Sequence, residues 1–192
     1  PPKTAAAIAF DRTLFPFDSY GQQEAIVGFL EDLTNYLSTS LKESIELISV
    51  SWDQSLRVIE DRSMQGAVTT LSPYPFYQKQ FLFSIPLIKT GPVLITTTDS
   101  SIQSFDDLQG SAVGILTTQD QLFLESIPGV KLIPYSDPSL LLQSVVTGQL
   151  DAAFMEILGA KTYCENIFEG SLKIRSTPMG ESGIRFITIL AE

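Results

Sequence analysis

Histidine is absent from all 192 residues. Its absence excludes an imidazole general base, a His-based triad and every histidine-containing metal site. The one cysteine, Cys164, permits no internal disulfide and falls in a helix-like stretch, so it reads as a buried structural thiol. Basic residues are few, 12 Lys and Arg against 22 Asp and Glu, for a net charge of −10. With no basic cluster to neutralise phosphates, nucleic acid is argued against as a partner, and attraction to anionic lipid is disfavoured. The acid excess is scattered and reads as solvated surface. No apolar run approaches the roughly 20 residues that cross a bilayer. No signal peptide is visible from Pro1 onward, and there is no internal repeat, phosphate-cradling glycine loop, nucleophile elbow or metal-ligand cluster. No cofactor is expected.

What is present is apolar enough for a core, 44% hydrophobic against 18% charged, in a length that fits one large domain or two small ones. Short β-branched runs alternate with helical patterns, which implies an α/β fold. Strands are expected at 5–10, 45–50, 66–70 and 91–98, then in a second block at 112–116, 130–133, 152–155, 172–176 and 183–190. A helix at 26–41 would carry Leu30, Leu33, Leu37 and Leu41 on one face. Ser51 and Gln54 have capping-box spacing ahead of a helix through about Asp61. Ser104 would cap a short helix at 105–108, and further helices are expected at 120–126 and 158–168. Asp137-Pro138 starts another, with proline at the first helical position, and Gly148 stops it. No linker separates the blocks. Extended segments near 89–94 and 181–186 join them and would act as a two-segment hinge, with lobe 1 at 1–90 plus 184–192 and lobe 2 at 91–183.

Two loops stand out. Ala9 to Phe17 runs from an apolar strand into an acid, two aromatics and a proline, and Ser72 to Tyr77 is an aromatic-rich turn after another short strand. Loops at strand ends are where α/β proteins place ligands, so the pair suggests a cleft for a small molecule.

Seven segments in order resemble the periplasmic solute-binding proteins of ABC transporters, in the family that binds polar amino acids. Asp11 to Phe17 resembles its first ligand loop, and Val27 to Leu33 its G-F-D-x-D-L helix entry. Ser51-Trp52-Asp53 sits where the family has an aromatic, and Thr69 to Ser72 resembles its loop after the third strand. Phe83-Ser84-Ile85-Pro86 resembles F-S-x-P, Phe105 to Gly114 resembles D-L-x-G-x-x-V-G, and Gly148 to Ala152 resembles G-x-x-D-A. The resemblance implies a two-lobed type II periplasmic-binding fold, each lobe a sheet flanked by helices. The family ends with further helices on the first lobe, whereas this chain stops at Glu192, so it reads as truncated, divergent or incompletely represented.

The resemblance also implies a site. The position of the family's carboxylate-clamping arginine is held by Tyr77, and no arginine lies between Arg62 and Arg175. The family's Gly-Thr pair corresponds to Thr118-Gln119. Glu156 matches the acid that receives the ligand amino group, and Asp11 matches a second acidic position. Phe15 and Trp52, with Leu14 beside them, would form aromatic walls, while Thr70, Leu71 and Ser72 would offer backbone or hydroxyl groups. Two acids, aromatics and no positive charge suit an amine or cation. Duller roles stand beside these. Asp11 also fits a turn cap, Trp52 also fits helix packing, and of Phe15 and Phe17 one is expected in the core, with Phe15 favoured for the pocket.

The function so implied is capture of a small polar or cationic, amino-acid-like solute between two lobes, outside the cytoplasm, for delivery to a transporter permease. The protein is then a monomer, secreted or lipid-anchored, and not an enzyme. Alternatives are a repurposed sensory or partner-binding domain and, lower, a dehydratase-like enzyme with Asp11 or Glu156 as general acid.

Overall fold

The computed structural model describes residues 5–16 and 21–191; Phe17 lies outside them. Its elements run β1 (Ala6–Phe10), α1 (Gln23–Leu41), β2 (Ile45–Ser49), α2 (Arg57–Glu60), β3 (Gly66–Thr69), α3 (Pro75–Gln78), β4 (Phe81–Phe83) and β5 (Ile88–Lys89). They continue through β6 (Pro92–Thr97), β7 (Ala112–Ile115), α4 (Thr118–Leu124), β8 (Lys131–Pro134), α5 (Pro138–Val146), β9 (Ala152–Glu156), α6 (Ile157–Thr162), β10 (Leu172–Ile174) and β11 (Gly183–Ile189). Among the described residues no helix is long and apolar enough to cross a membrane.

The chain divides into two compact units, 1–89 with 181–192 and 90–180. The second crossing falls a few residues before the expected one because Gly183 and Ile184 already pair with Lys89 and Ile88 of β5. Unit 1 holds one sheet in the order β2-β1-β3-β11-β4, with β5 also on β11. There β1 is parallel to β2 and β3, and β11 runs antiparallel to β3 and β4. One face packs Ala9, Ala67, Phe81 and Ile187 against Ile59 of α2. Helix α1 buries Ile26, Leu30 and Thr34. That stripe corrects the expected one: Leu33 and Leu37 are half-buried, and Leu41, in the last turn, is 61% exposed. At 3.6 residues per turn both rows lie within about 100° on one face, so the difference is one of depth, with burial fading toward the last turn.

Unit 2 holds a second sheet, β10-β6-β9-β7-β8, with β7 parallel to β8 and β9 and the other pairs antiparallel. The two faces carry separate cores. Val93, Ile95, Leu141, Leu142, Val145 and Met155 pack on one side, and Leu94, Leu108, Val113, Leu124 and Phe154 on the other. Helix starts follow local chemistry. Asp137 accepts from the N–H groups of Ser139 (2.7 Å) and Leu140 (3.1 Å), and Ser104 forms a capping box with Asp107. The box expected at Ser51 does not form. That residue precedes a three-residue 3₁₀ turn, Trp52–Gln54, without a side-chain cap, and the helix behind it is only Arg57–Glu60. The helix expected at 158–168 ends as α6 and continues as a π turn, Tyr163–Ile167, which buries Cys164. Burial and the nearby Glu165 charge push that thiol up to about 11, so it is inert and structural.

Two glycines test the packing in opposite directions. A Cβ at Gly91 would lie 1.8 Å from the Met179 carbonyl oxygen, a backbone atom that cannot move aside, whereas one at Gly28 within α1 meets nothing within 4 Å. Gly91→Ala should destabilise by about 1–3 kcal/mol. Gly28→Ala should stabilise by about 0.5–1 kcal/mol through helix propensity. Urea denaturation of both variants checks the pair.

Candidate functional site

In unit 1 the loops leaving β1, β2 and β3 meet at the C-terminal edge of the parallel strands. The β1 loop turns on Asp11, whose Oδ1 accepts from the Thr13 N–H (2.9 Å) and hydroxyl (2.8 Å). The Leu14 N–H donates to the Asp11 carbonyl at 3.0 Å. Asp11 therefore caps its own turn. Leu14 follows with φ 55°, a left-handed conformation strained for a branched side chain, and buries that side chain. The turn leaves Phe15 45% exposed. Its ring lies 5.3 Å from that of Trp52, tilted by 45°. Its carbonyl accepts from the Thr70 hydroxyl at 3.0 Å. One residue from each of three loops is thus held in one constellation, and the ring pair adds about 0.5–1.5 kcal/mol beyond its burial.

The β3 loop is braced from within. The Leu71 N–H donates to the Thr69 hydroxyl (3.1 Å), and the Tyr74 N–H to the Ser72 carbonyl (2.8 Å). Leu71 and Ser72 are half-buried. Pro75 opens α3, which turns the half-buried Tyr77 onto the cluster of Ala9, Ile59, Ala67, Phe81 and Ile187. The ring also meets Phe76 edge-on at 5.4 Å, so it packs α3 to the sheet. Tyr74 and Phe76 are exposed.

Unit 2 repeats the geometry with acids. β7 and β9 are parallel neighbours, and each C-terminal end starts a helix. The Thr117 hydroxyl accepts from the Asp120 N–H (3.1 Å), while Asp120 Oδ2 accepts from the N–H groups of Thr117 (3.1 Å) and Leu116 (3.3 Å). Thr118 and Gln119 are exposed in the first turn of α4. Thr118 borders a depression of about 140 Å³ with Leu116, Thr117, Gln121 and Pro134. Glu156 ends β9 and caps α6: one carboxylate oxygen accepts from the Leu158 N–H at 3.1 Å, the other from the Gly159 N–H. Burial pushes Glu156 up to about 7 against those two bonds, and the Asp120 charge adds to the rise. Burial also raises Asp120, against its bonds to Thr117 and Leu116.

Two groups escaped the sequence reading. Asp120 was legible through the Thr117-x-x-Asp120 spacing of a capping box. Arg185 interrupts an apolar strand, and its side chain is 2% exposed. It pairs in register with Thr69, at the end of β3. The strand residue paired with the end of β3 is therefore cationic. No group of three or more Cys, Asp and Glu side chains among the described residues could hold a metal ion.

A family model for bacterial extracellular solute-binding proteins, family 3, matches residues 7–170. The lysine/arginine/ornithine-binding periplasmic protein of Escherichia coli K12 is 27% identical over 158 residues, 80% of this chain and 61% of that protein. The arginine-binding extracellular protein ArtP of Bacillus subtilis is 27% identical over 152 residues, 77% of this chain and 59% of that protein. The chain thus spans about three fifths of the length of the curated relatives it matches. Among solved structures, the L-cystine solute receptor of Neisseria gonorrhoeae covers 98% of this chain and 80% of its own at a TM-score of 0.73 and 21% identity. The second substrate-binding domain of a putative amino acid ABC transporter from Streptococcus pneumoniae gives a TM-score of 0.69 at 23% identity, over 95% of this chain and 84% of its own. These two likenesses establish the type II, two-lobed fold.

A carboxyl group raised by folding favours the folded state while protonated. Glu156 ionises near its ordinary value of 4.5 when unfolded and near 7 when folded. Its contribution is complete below pH 4.5 and lost as pH rises to about 7, by at most roughly 3 kcal/mol, and Asp120 acts with the same sign. Glu156→Gln should flatten most of this fall, leaving the Asp120 part, in urea denaturation run from pH 4.5 to 8.

Proposed function

The chain belongs to the bacterial extracellular solute-binding proteins of family 3, and from that premise we propose that it captures a small amino-acid-like solute through a protonated amino group and passes it to a membrane permease of an ABC transporter. The observation that carries the reading is the convergence of Phe15, Trp52 and Thr70 from three strand-end loops of unit 1. Such a constellation offers an aromatic wall beside fixed polar groups, which is how small-solute sites gain both affinity and orientation. A cation gains from the ring faces as well.

Unit 2 offers an acid suited to a cationic solute, Glu156. Its carboxylate is oriented by two backbone N–H groups and partly desolvated, so an ammonium group would pair with it far more strongly than with a surface acid. Asp11 is less suited to that task, because Thr13 already occupies both of its oxygens. The relatives' names support a solute of this class: lysine, arginine, ornithine and histidine all carry an α-amino group beside a basic side chain. Capture takes place outside the cytoplasm in this reading, by a monomer.

Binding an ammonium group stabilises ionised Glu156. Below about pH 7 the solute must displace a proton, so affinity should rise roughly tenfold or more between pH 5.5 and 8. Calorimetric titration with L-arginine, L-lysine, L-ornithine and L-histidine tests the proposal. One or more should bind, quench or shift the fluorescence of Trp52, the sole tryptophan, and stabilise the fold by about 2.7 kcal/mol at a hundredfold excess over Kd. Glu156→Gln should weaken binding and abolish the pH dependence. Selective binding of dicarboxylates, or none of any amino acid, would overturn the reading.

A further inference from the structure

We propose that Arg185 is the anion-receiving group of the unit 1 site and that it takes the carboxylate of the solute. The inference rests on the amino-acid reading above and adds the group that tells an amino acid from an amine. Three observations carry it.

First, the guanidinium is enclosed and incompletely partnered. The Arg185 side chain is 2% exposed, and its Nη1 has no hydrogen-bond partner among the described residues. A guanidinium keeps its charge inside proteins, so an unmet donor there is costly and points to a missing acceptor. Second, the one acid beside it is a loose fit. Nη2 lies 3.7 Å from Glu181 Oε2, longer than a hydrogen bond, and Glu181 is 85% exposed on the segment that leads into β11. A free carboxylate can displace such a partner, because Glu181 makes no hydrogen bond to the guanidinium at that distance and its own carboxylate is readily resolvated. Third, the register puts Arg185 where the solute is expected. It faces Thr69, whose hydroxyl braces Leu71 at the start of the loop that also holds Thr70 and Ser72. Residues paired across antiparallel strands share a face of the sheet, so the guanidinium rises on the face of Thr69, Ala67 and Ile187, the one on which Tyr77 packs.

The chemistry then selects a carboxylate. A guanidinium presents donors in a planar fork that a carboxylate matches with two parallel bonds. Nη1 and Nη2 would both be satisfied by one such group. Glu181 holds Nη2 until the solute arrives, as an internal competitor.

The test compares amino acids with their decarboxylated partners: L-arginine with agmatine, L-lysine with cadaverine, and L-histidine with histamine. In the wild-type protein the amino acid of a binding pair should bind at least about tenfold tighter than its amine. Arg185→Met, checked for a cooperative melt, should remove that preference and leave amine affinity unchanged. Glu181→Gln, at an exposed position, should raise amino-acid affinity by roughly two- to fivefold without changing amine affinity. Equal binding of acid and amine by the wild type, or a preference that survives Arg185→Met, overturns the assignment and leaves the proposed function standing. Binding of neither member overturns both. Should Arg185→Met fail to fold, Glu181→Gln decides alone: unchanged amino-acid affinity rejects the assignment.

Discussion

The parallel ladder that holds β1 between β2 and β3 is the constraint on which the candidate site of unit 1 depends. Pairing of Ile8 with both Leu47 and Gly66 fixes the three strands in one direction, so their C-terminal ends and the loops beyond them fall on one edge. No single loop could make this constellation. Phe15 needs Trp52 from the next loop to hold its ring and Thr70 from the third to hold its carbonyl. Each of these contacts is worth little, and together they fix positions that are far apart in sequence. The sheet beneath tolerates the close fit because its inner face uses small residues, Ala9 and Ala67, under the rings of Phe81 and Tyr77.

In unit 2 the same rule works through charge. β7 and β9 lie side by side and parallel, so Asp120 and Glu156 come to neighbouring strand ends and feel one another. Each is also a helix cap, and capping is what makes their burial tolerable. The N–H groups of Leu116 and Thr117 answer Asp120, and those of Leu158 and Gly159 answer Glu156. For Glu156, desolvation still exceeds the capping bonds, which is why it ionises near neutrality. A carboxylate held this way is oriented before any solute arrives, and orientation of the binding group in advance lowers the cost of binding.

Features governed by local chemistry were legible in the sequence. Asp137-Pro138 and Ser104 marked helix starts because a side chain and a backbone N–H two or three residues apart decide the matter. Most strands of both sheets were legible by their short apolar runs. Features that depend on distant partners were not. Strand β4, three residues long, exists because β11 comes back to pair with it. The box expected at Ser51 did not form: its side chain makes no capping bond, and the segment splits into a 3₁₀ turn and the short helix Arg57–Glu60. Asp11 matched a family acid by position, yet its carboxylate answers Thr13 two residues away. Arg185 was missed for the same physical reason. A search along the chain for a guanidinium near Tyr77 ends at Arg62 and Arg175, whereas β11 delivers one to the end of β3 from the far end of the sequence, through pairing alone.

That delivery has an energetic logic. A buried guanidinium with a loose partner destabilises the fold, by several kcal/mol if its charge is poorly answered. A marginal strand could not hold it. β11 is not marginal: it pairs with β3, β4 and β5, and Ile184 and Ile187 on either side of Arg185 are buried. The ladder and its apolar flanks supply the stability that the charge removes. Strain of this kind is tolerated where something else can relieve it. A solute anion would do so, and the free energy withheld in the empty protein would then reappear as affinity, because a ligand that binds only the folded state stabilises it in proportion to its occupancy. The position that looks least favourable for folding is, by that argument, the one that gains most from being filled.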